Sequence, residues 1–213
     1  MASTERDAVP GGAELDGLTA AWLGREELGA QPDFEAMIEA LRTLQNQVTG
    51  SRPPREVLDD ATRQLTELAR QLAKYPVSER DQVAGQLAGV PGRGQALIPP
   101  IYLDEVTGGR ARGRVTFGRY YLGGNAAVHG GAIPLVFDDV MGRLSSLGRS
   151  PARTAYLNLS YRAVTPIETE LTLEARLESE AGRKRLLRGE LRHGATVCVE
   201  AEALFVALRP GQP

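Results

Sequence analysis

The stretch Gly123–Gly142 constrains the chain more than any other. A glycine-rich turn with one histidine, Gly123-Gly124-Asn125-Ala126-Ala127-Val128-His129-Gly130-Gly131, leads into an apolar run, Ala132 to Phe137. No charge interrupts that run until Asp138 and Asp139 appear side by side. Pro134 is tolerated only in the first turn of a helix, so the spacing predicts a helix beginning at about Gly130 or Gly131. Glycine amides at such an N-terminus have no Cβ in front of them and stabilise negative charge, including that which develops on a carbonyl oxygen in acyl transfer. Asp138 falls nine residues after His129, about two turns into this helix. A carboxylate in an apolar helix facing a sheet is costly unless it has a partner or a task. Neighbouring helical residues point about 100° apart, so one of the two aspartates faces solvent; the spacing from His129 favours Asp138 as the working one.

The rest of the chain arranges itself around that helix. Phe34, Met37, Ile38, Leu41, Leu44 and Val48 share one face of a predicted helix that Asp33 caps and Gly50 stops. Ser51-Arg52-Pro53-Pro54 breaks the pattern. A second amphipathic helix carries Val57, Leu58, Ala61, Leu65, Leu68 and Leu72 and ends at Tyr75-Pro76. Ser78, with Asp81 three residues on, caps a third short helix to about Leu87. Residues 1–13 hold Ser, Thr, Pro and two Gly and read as disordered; a short helical pattern around Leu15–Leu23 has Trp22 as its anchor. Gly89–Pro100 reads as a linker. Beyond it the period changes from 3.6 to 2. Ala111–Phe117 alternates, and after the central helix four further strand patterns follow: around Ala155–Tyr161, Leu171–Leu177, Leu186–His193 and Ala195–Leu208. One long helix followed by an antiparallel meander implies an α+β fold, about five strands wrapped round the helix. The organisation is thus 1–88, an N-terminal helical extension with disordered first residues; 89–100, a linker; and 101–213, the sheet-and-helix domain. The extension either packs on that domain or on a partner subunit, or serves as a lid or regulatory arm. It holds no histidine.

His-Gly-Gly with an aspartate nine residues after the histidine resembles the motif of the hot-dog-fold acyl-CoA thioesterases of the PaaI and THEM type. Gly142, thirteen residues after His129, and the strand Thr154-Ala155-Tyr156-Leu157-Asn158-Leu159-Ser160-Tyr161 extend the resemblance, which covers roughly residues 95–209. It implies the hot-dog fold for the α+β domain. It implies hydrolysis of an acyl-CoA thioester to a free acid and CoA, with Asp138 as general base or nucleophile. Gly130, with or without Gly131, would supply the oxyanion-binding amide, and His129 would orient the turn or contact the thioester. A Ser or Thr at the position of Thr154 holds the attacking water in such proteins. They place a polar residue about six positions before the histidine, where this chain has Gly123; Asn125, four before, either substitutes or is a turn residue. The resemblance also implies a homodimer or a dimer of dimers. Two other readings remain, a non-catalytic acyl-CoA or fatty-acyl binding protein and a hot-dog dehydratase.

Arg183, Lys184 and Arg185 follow a hairpin turn, and Arg149 and Arg153 form a second basic pair. Such clusters either bind the phosphates of coenzyme A or are solvated turns. No cofactor is implied beyond the CoA carried by the substrate. A net charge of −2 gives no whole-chain basis for nucleic-acid binding. Cys198 is the single cysteine, which excludes an internal disulfide and argues against a cysteine metal site; its alternating surroundings read as a packed strand thiol. P-loop, dinucleotide-binding and two-histidine metal motifs are absent. No stretch approaches the ~18 apolar residues of a bilayer span, so a soluble cytoplasmic protein is expected.

Overall fold

Alternation of apolar and polar residues becomes one six-stranded antiparallel sheet. Its strands are β1 (Ile101–Val106), β2 (Arg110–Thr116), β5 (Ala152–Tyr161), β6 (Glu170–Ala181), β7 (Lys184–His193) and β8 (Thr196–Ala207). They lie in the order β1-β2-β6-β7-β8-β5. A separate hairpin joins β3 (Leu122–Gly124) to β4 (Ala127–Val128). This computed structural model describes residues 31–87, 89–209 and 211–212. The stretch expected to be disordered, 1–13, and the helical pattern at Leu15–Leu23 lie outside the described residues.

The central helix runs from Ile133 to Ser146, with Pro134 in its first turn. It starts two to three residues later than the proline spacing predicts, and Gly130 and Gly131 stay in the loop before it. Val136, Phe137, Val140, Met141 and Leu144 are buried against Leu171, Leu173, Leu187, Leu191 and Phe205 of the sheet. Each such side chain contributes about 1.5–3 kcal/mol relative to exposure, which makes this the chain's main core. Cys198 is buried in it, as its strand pattern suggested.

The sheet holds six strands rather than about five, because β1 escaped the alternation pattern. A register irregularity between Leu103 and Glu105 breaks its period. At the other edge, β5 is ten residues long and, among the described residues, pairs only with β8.

Ahead of the sheet, α1 (Pro32–Gly50) and α2 (Arg55–Leu72) match the expected helices; α3 denotes the central helix. Asp33 is not the cap of α1: Gln31 precedes the helix, Pro32 opens it, and Asp33 lies in its first turn, where a negative charge suits the helix dipole. The third helix does not form. Only a turn of 3-10 helix, Glu79–Asp81, follows Ser78. Gln82 is extended and Gly85 takes a φ of +82°, so the chain turns away from helical geometry.

α1 buries Ile38 and Arg42, and the Tyr120 N–H donates to Asn46 Oδ1 at 2.9 Å. Its stripe Met37, Leu41, Leu44, Val48 stays exposed, and α2 has no buried residue. The segment read as a linker packs closely: Gly92, Gly94 and Ile98 are buried. Among the described residues, no helix is long and apolar enough to cross a membrane.

Candidate functional site

The glycine-rich turn folds as a hairpin whose two tip residues, Asn125 (φ 49°) and Ala126 (φ 59°), are left-handed. Two successive positive-φ residues match the twist of a tight hairpin, and Asn accepts this conformation more readily than most side chains. Asn125 therefore occupies a turn tip. Gly123 is demanded by close approach: a Cβ there would stand 2.7 Å from the Cα of His129. That contact explains why the chain carries glycine, not a polar side chain, six positions before the histidine.

The hairpin fixes His129. The Val128 N–H donates to Thr165 O at 2.8 Å and the His129 N–H to Tyr121 O at 2.7 Å. The Gly131 N–H donates to His129 Nδ1 at 3.0 Å, so in the neutral ring Nε2 carries the proton. Tyr161 of β5 donates its hydroxyl to Gly130 O at 2.7 Å. The peptide between Gly130 and Gly131 is thus held from both sides, its N–H by the imidazole and its C=O by the phenol. The Ala132 N–H bonds back to His129 O at 2.8 Å. These local bonds use the groups that would otherwise have begun the helix at Gly130. They leave the Gly130 N–H with no hydrogen-bond partner among the described residues, on an exposed loop immediately before the helix.

Asp138 is exposed on the flank of α3 that faces β5. Thr154 Oγ1 donates to Asp138 Oδ1 at 2.7 Å. A β-bulge makes this contact. Thr154 pairs with Phe205 and Tyr156 with Leu204, leaving Ala155 unpaired between them. Phe205 faces the core and Leu204 the other side. The extra residue therefore shifts Thr154 onto the same face as Leu157, Leu159 and Tyr161, whereas unbroken alternation would put it opposite them. Leu157 and Leu159 are half-buried between Thr154 and Tyr161 and pack against the core. The inner edge of β5 thus presents, in order, a carboxylate-bound hydroxyl, two leucines, and the phenol that holds the glycine loop.

Asp139 has the opposite surroundings. Its side chain is 1% exposed, with Arg93 Nε 2.7 Å from Oδ1 and Arg143 Nη2 2.5 Å from Oδ2. Arg143 Nε also donates to Oδ2 at 3.1 Å. The Arg93 contact is an ion pair whose N–H does not point along the hydrogen-bond line. Of the two adjacent aspartates, Asp138 is the one that faces solvent, and Asp139 is the buried one.

The basic cluster divides. Arg185 is buried and committed: it donates to Ser145 O, Ser150 O and Ser150 Oγ, and to Glu180 Oε1 at 2.9 Å. That bond, helped by Arg149, holds the Glu180 carboxyl below its ordinary range. Arg185 closes the C-terminal end of α3 onto the sheet and presents no donor outward. Lys184 is exposed, as is Arg183, which also donates to Ala207 O at 2.9 Å. Arg149 is tied to Glu180 and to Leu147 O.

Sequence reasoning missed three residues here: Tyr161, Arg93 and Arg143. Arg143 could have been found, since it lies four residues after Asp139 on the same helix. Nothing local marks the other two. A cavity of about 460 Å³ on the opposite face of the sheet is lined by Arg176, Arg188, Glu190 and Glu200 among others. Those charges are paired, Arg188 with Glu202, Arg192 with Glu190 and Arg162 with Glu200, so it resembles a solvated charge lattice more than an acyl site. Among the described residues, no group of three or more His, Cys, Asp or Glu could hold a metal ion.

No family model matches the chain. The crystal structure of a thioesterase superfamily protein superposes with a TM-score of 0.71 at 29% identity, over 84% of this chain and 96% of that one. That share is larger than residues 101–213, so the likeness takes in part of the N-terminal helices. A Streptococcus mutans protein solved with acetyl-CoA matches 51% of this chain and 88% of its own at 14% identity, with a TM-score of 0.49. The mouse acyl-coenzyme A thioesterase THEM4 is 32% identical over 88 residues, 40% of this chain. The chain spans 38% of the length of that curated relative.

Proposed function

We propose that this chain, which has the hot-dog fold and resembles the thioesterases that share it, hydrolyses an acyl-CoA thioester to the free acid and CoA. The observation that carries the reading is the Thr154–Asp138 hydrogen bond on the open flank of α3. The Gly130 N–H, unpartnered at the other end of the same β5 edge, supports it.

In this reading the thioester lies along Leu157 and Leu159 with its carbonyl oxygen at the Gly130 amide. A water held by Asp138 and Thr154 loses a proton to Asp138 as its oxygen bonds to the carbonyl carbon. Negative charge collects on the carbonyl oxygen, where a pre-oriented N–H is worth more than bulk water. Collapse breaks the C–S bond, and CoA leaves as the thiolate and takes up a proton. Asp138 attacking directly, with an anhydride then hydrolysed, gives the same products. Single turnover in ¹⁸O-water tests for an anhydride opened at the Asp138 carbon, which leaves the product acid unlabelled and puts ¹⁸O into Asp138, whereas water activation labels the acid. Arg183 and Lys184 are assigned to the CoA phosphates; Arg185 is occupied within the protein.

The active unit is read as a dimer. β5 is a ten-residue edge strand with unpaired backbone groups, and the Asp138 flank beside it is open. A second copy would cover the edge and wall the site. A fully active monomer by light scattering at micromolar concentration would refute this. The hydrolase reading itself is tested by thiol release from a panel of aliphatic and aromatic acyl-CoAs. Binding without turnover across the panel would replace it with the acyl-CoA binding reading.

A further inference from the structure

The loop between the N-terminal arm and the sheet contains three successive left-handed residues, Gly92 (φ 67°), Arg93 (φ 54°) and Gly94 (φ 68°). Glycine accepts this backbone freely; arginine does not, and such a residue persists only where its surroundings over-determine it. They do so here. The Arg93 N–H donates to Val90 O at 2.8 Å, its C=O accepts from the Gly85 N–H at 2.9 Å, and the Gln95 N–H donates to Gly92 O at 3.1 Å. From α1, Arg42 inserts a nearly buried guanidinium into the loop. Its Nη2 donates to Pro91 O at 3.0 Å and Gln95 O at 2.8 Å and lies 3.4 Å from Ile98 O. A Cβ on Gly92 would stand 2.3 Å from that Nη2.

The one functional side chain this loop carries reaches Asp139, the neighbour of Asp138. Arg143 also holds Asp139 but sits on α3 and turns with it. Among the described residues, Arg93 is the only cation outside the helix paired with Asp139. Rotation of α3 about its axis sets where Asp138 points, and Arg93 anchors that rotation from outside.

We propose that Arg93 is a positioning residue of the acyl site: through Asp139 it sets the rotation of α3 that aims Asp138 at Thr154, and Arg42 of the arm holds Arg93 in place. The arm is thereby part of the site's framework. The inference rests on the reading of Asp138 as the group that activates water or attacks the thioester. A displacement of about 1 Å in a catalytic group is enough to cost up to ~10²-fold in rate.

The test uses the full chain as R93M, R93K and R42M, with two readouts. Steady-state thiol release from the best acyl-CoA of the panel separates kcat from KM. Methyl-labelled threonine spectra, with the Thr154 signal assigned by its loss in T154V, report the Asp138–Thr154 contact without any substrate. R93M is expected to lower kcat about 10- to 100-fold with KM within about threefold, and to move the Thr154 signal. R93K, which keeps the charge, recovers most of the loss. R42M moves both readouts in the same direction by less. An R93M chain with kcat within about threefold of wild type, or with an unmoved Thr154 signal, overturns the proposal. Should R93M not fold, R42M decides, and an unmoved Thr154 signal there overturns it too. If the wild-type chain cleaves no acyl-CoA, the hydrolase reading falls, and the threonine signal still decides whether Arg93 positions this flank.

Discussion

On the flank of α3 that faces β5, Asp138 is exposed and holds one hydrogen bond, from Thr154; on the flank beneath the 92–94 loop, Asp139 is buried between Arg93 and Arg143. The two residues share a helix, a charge and a peptide bond. What separates them is the number of oxygens left for a reactant. Both Asp139 oxygens face guanidinium groups and the side chain is out of reach of solvent. Asp138 Oδ2 has no hydrogen-bond partner among the described residues and lies beside an open strand edge. A carboxylate that must take up a proton or attack carbon needs that second condition, and one that holds a helix in place needs the first.

The comparison breaks most sharply on D138N. This change is expected to lower kcat by at least ~10²-fold with little change in melting temperature, measured by thiol release and thermal unfolding. Should D139N be the crippling change for turnover and D138N mild, the assignment of the two flanks is reversed. D139N should act on the fold and, through the rotation of α3, lower kcat by less than D138N does. Removing one partner of a buried pair leaves the other uncompensated, and because both arginines keep some water contact we expect the low end of the range, about 3 kcal/mol of stability by chemical denaturation. A D139N chain that melts like wild type would mean that Arg93 and Arg143 find other partners.

T154V tests the open flank alone. It removes one hydrogen bond to a carboxylate, worth about 1.5 kcal/mol, so kcat should fall about tenfold while the fold is kept. Unchanged turnover would leave Thr154 as an ordinary strand residue. Y161F is the mildest probe. It releases the Gly130 carbonyl and should cost about threefold to fivefold in kcat, the loss of one ordinary hydrogen bond that acts through the loop. A larger effect would place the Tyr161 hydroxyl against the substrate itself.

The N-terminal helices show where sequence reading stops. α1 and α2 carry similar apolar stripes and were equally legible from their period. Among the described residues only α1 buries side chains, because Ile38 and the polar residues Arg42 and Asn46 beside it find the loop before β1 and the Tyr120 amide. Of the stripe itself Ile38 is buried while Met37, Leu41, Leu44 and Val48 remain exposed, so most of the conspicuous pattern was not the contact surface. The basic run 183–185 teaches the same point: three adjacent cations look equivalent, yet Arg185 lies under the end of α3 while Arg183 and Lys184 are exposed.

Local pattern determined much of this protein. The periods 3.6 and 2 placed α1, α2 and five of the six sheet strands; Pro134 after the Gly-Gly turn placed α3 to within three residues; the distance from His129 made Asp138 the candidate, and the Gly-Gly turn pointed to the Gly130 amide. These features are legible because each depends on residues within a few positions of one another. Tertiary structure decided the rest. The bulge at Ala155 brings Thr154 onto the inner face, and no alternation pattern contains it, because the register belongs to the pairing of β5 with β8. The reach of Arg93 to Asp139 and of Tyr161 to Gly130 spans dozens of residues, and only packing of the sheet against α3 and of the arm against the loop brings those partners together.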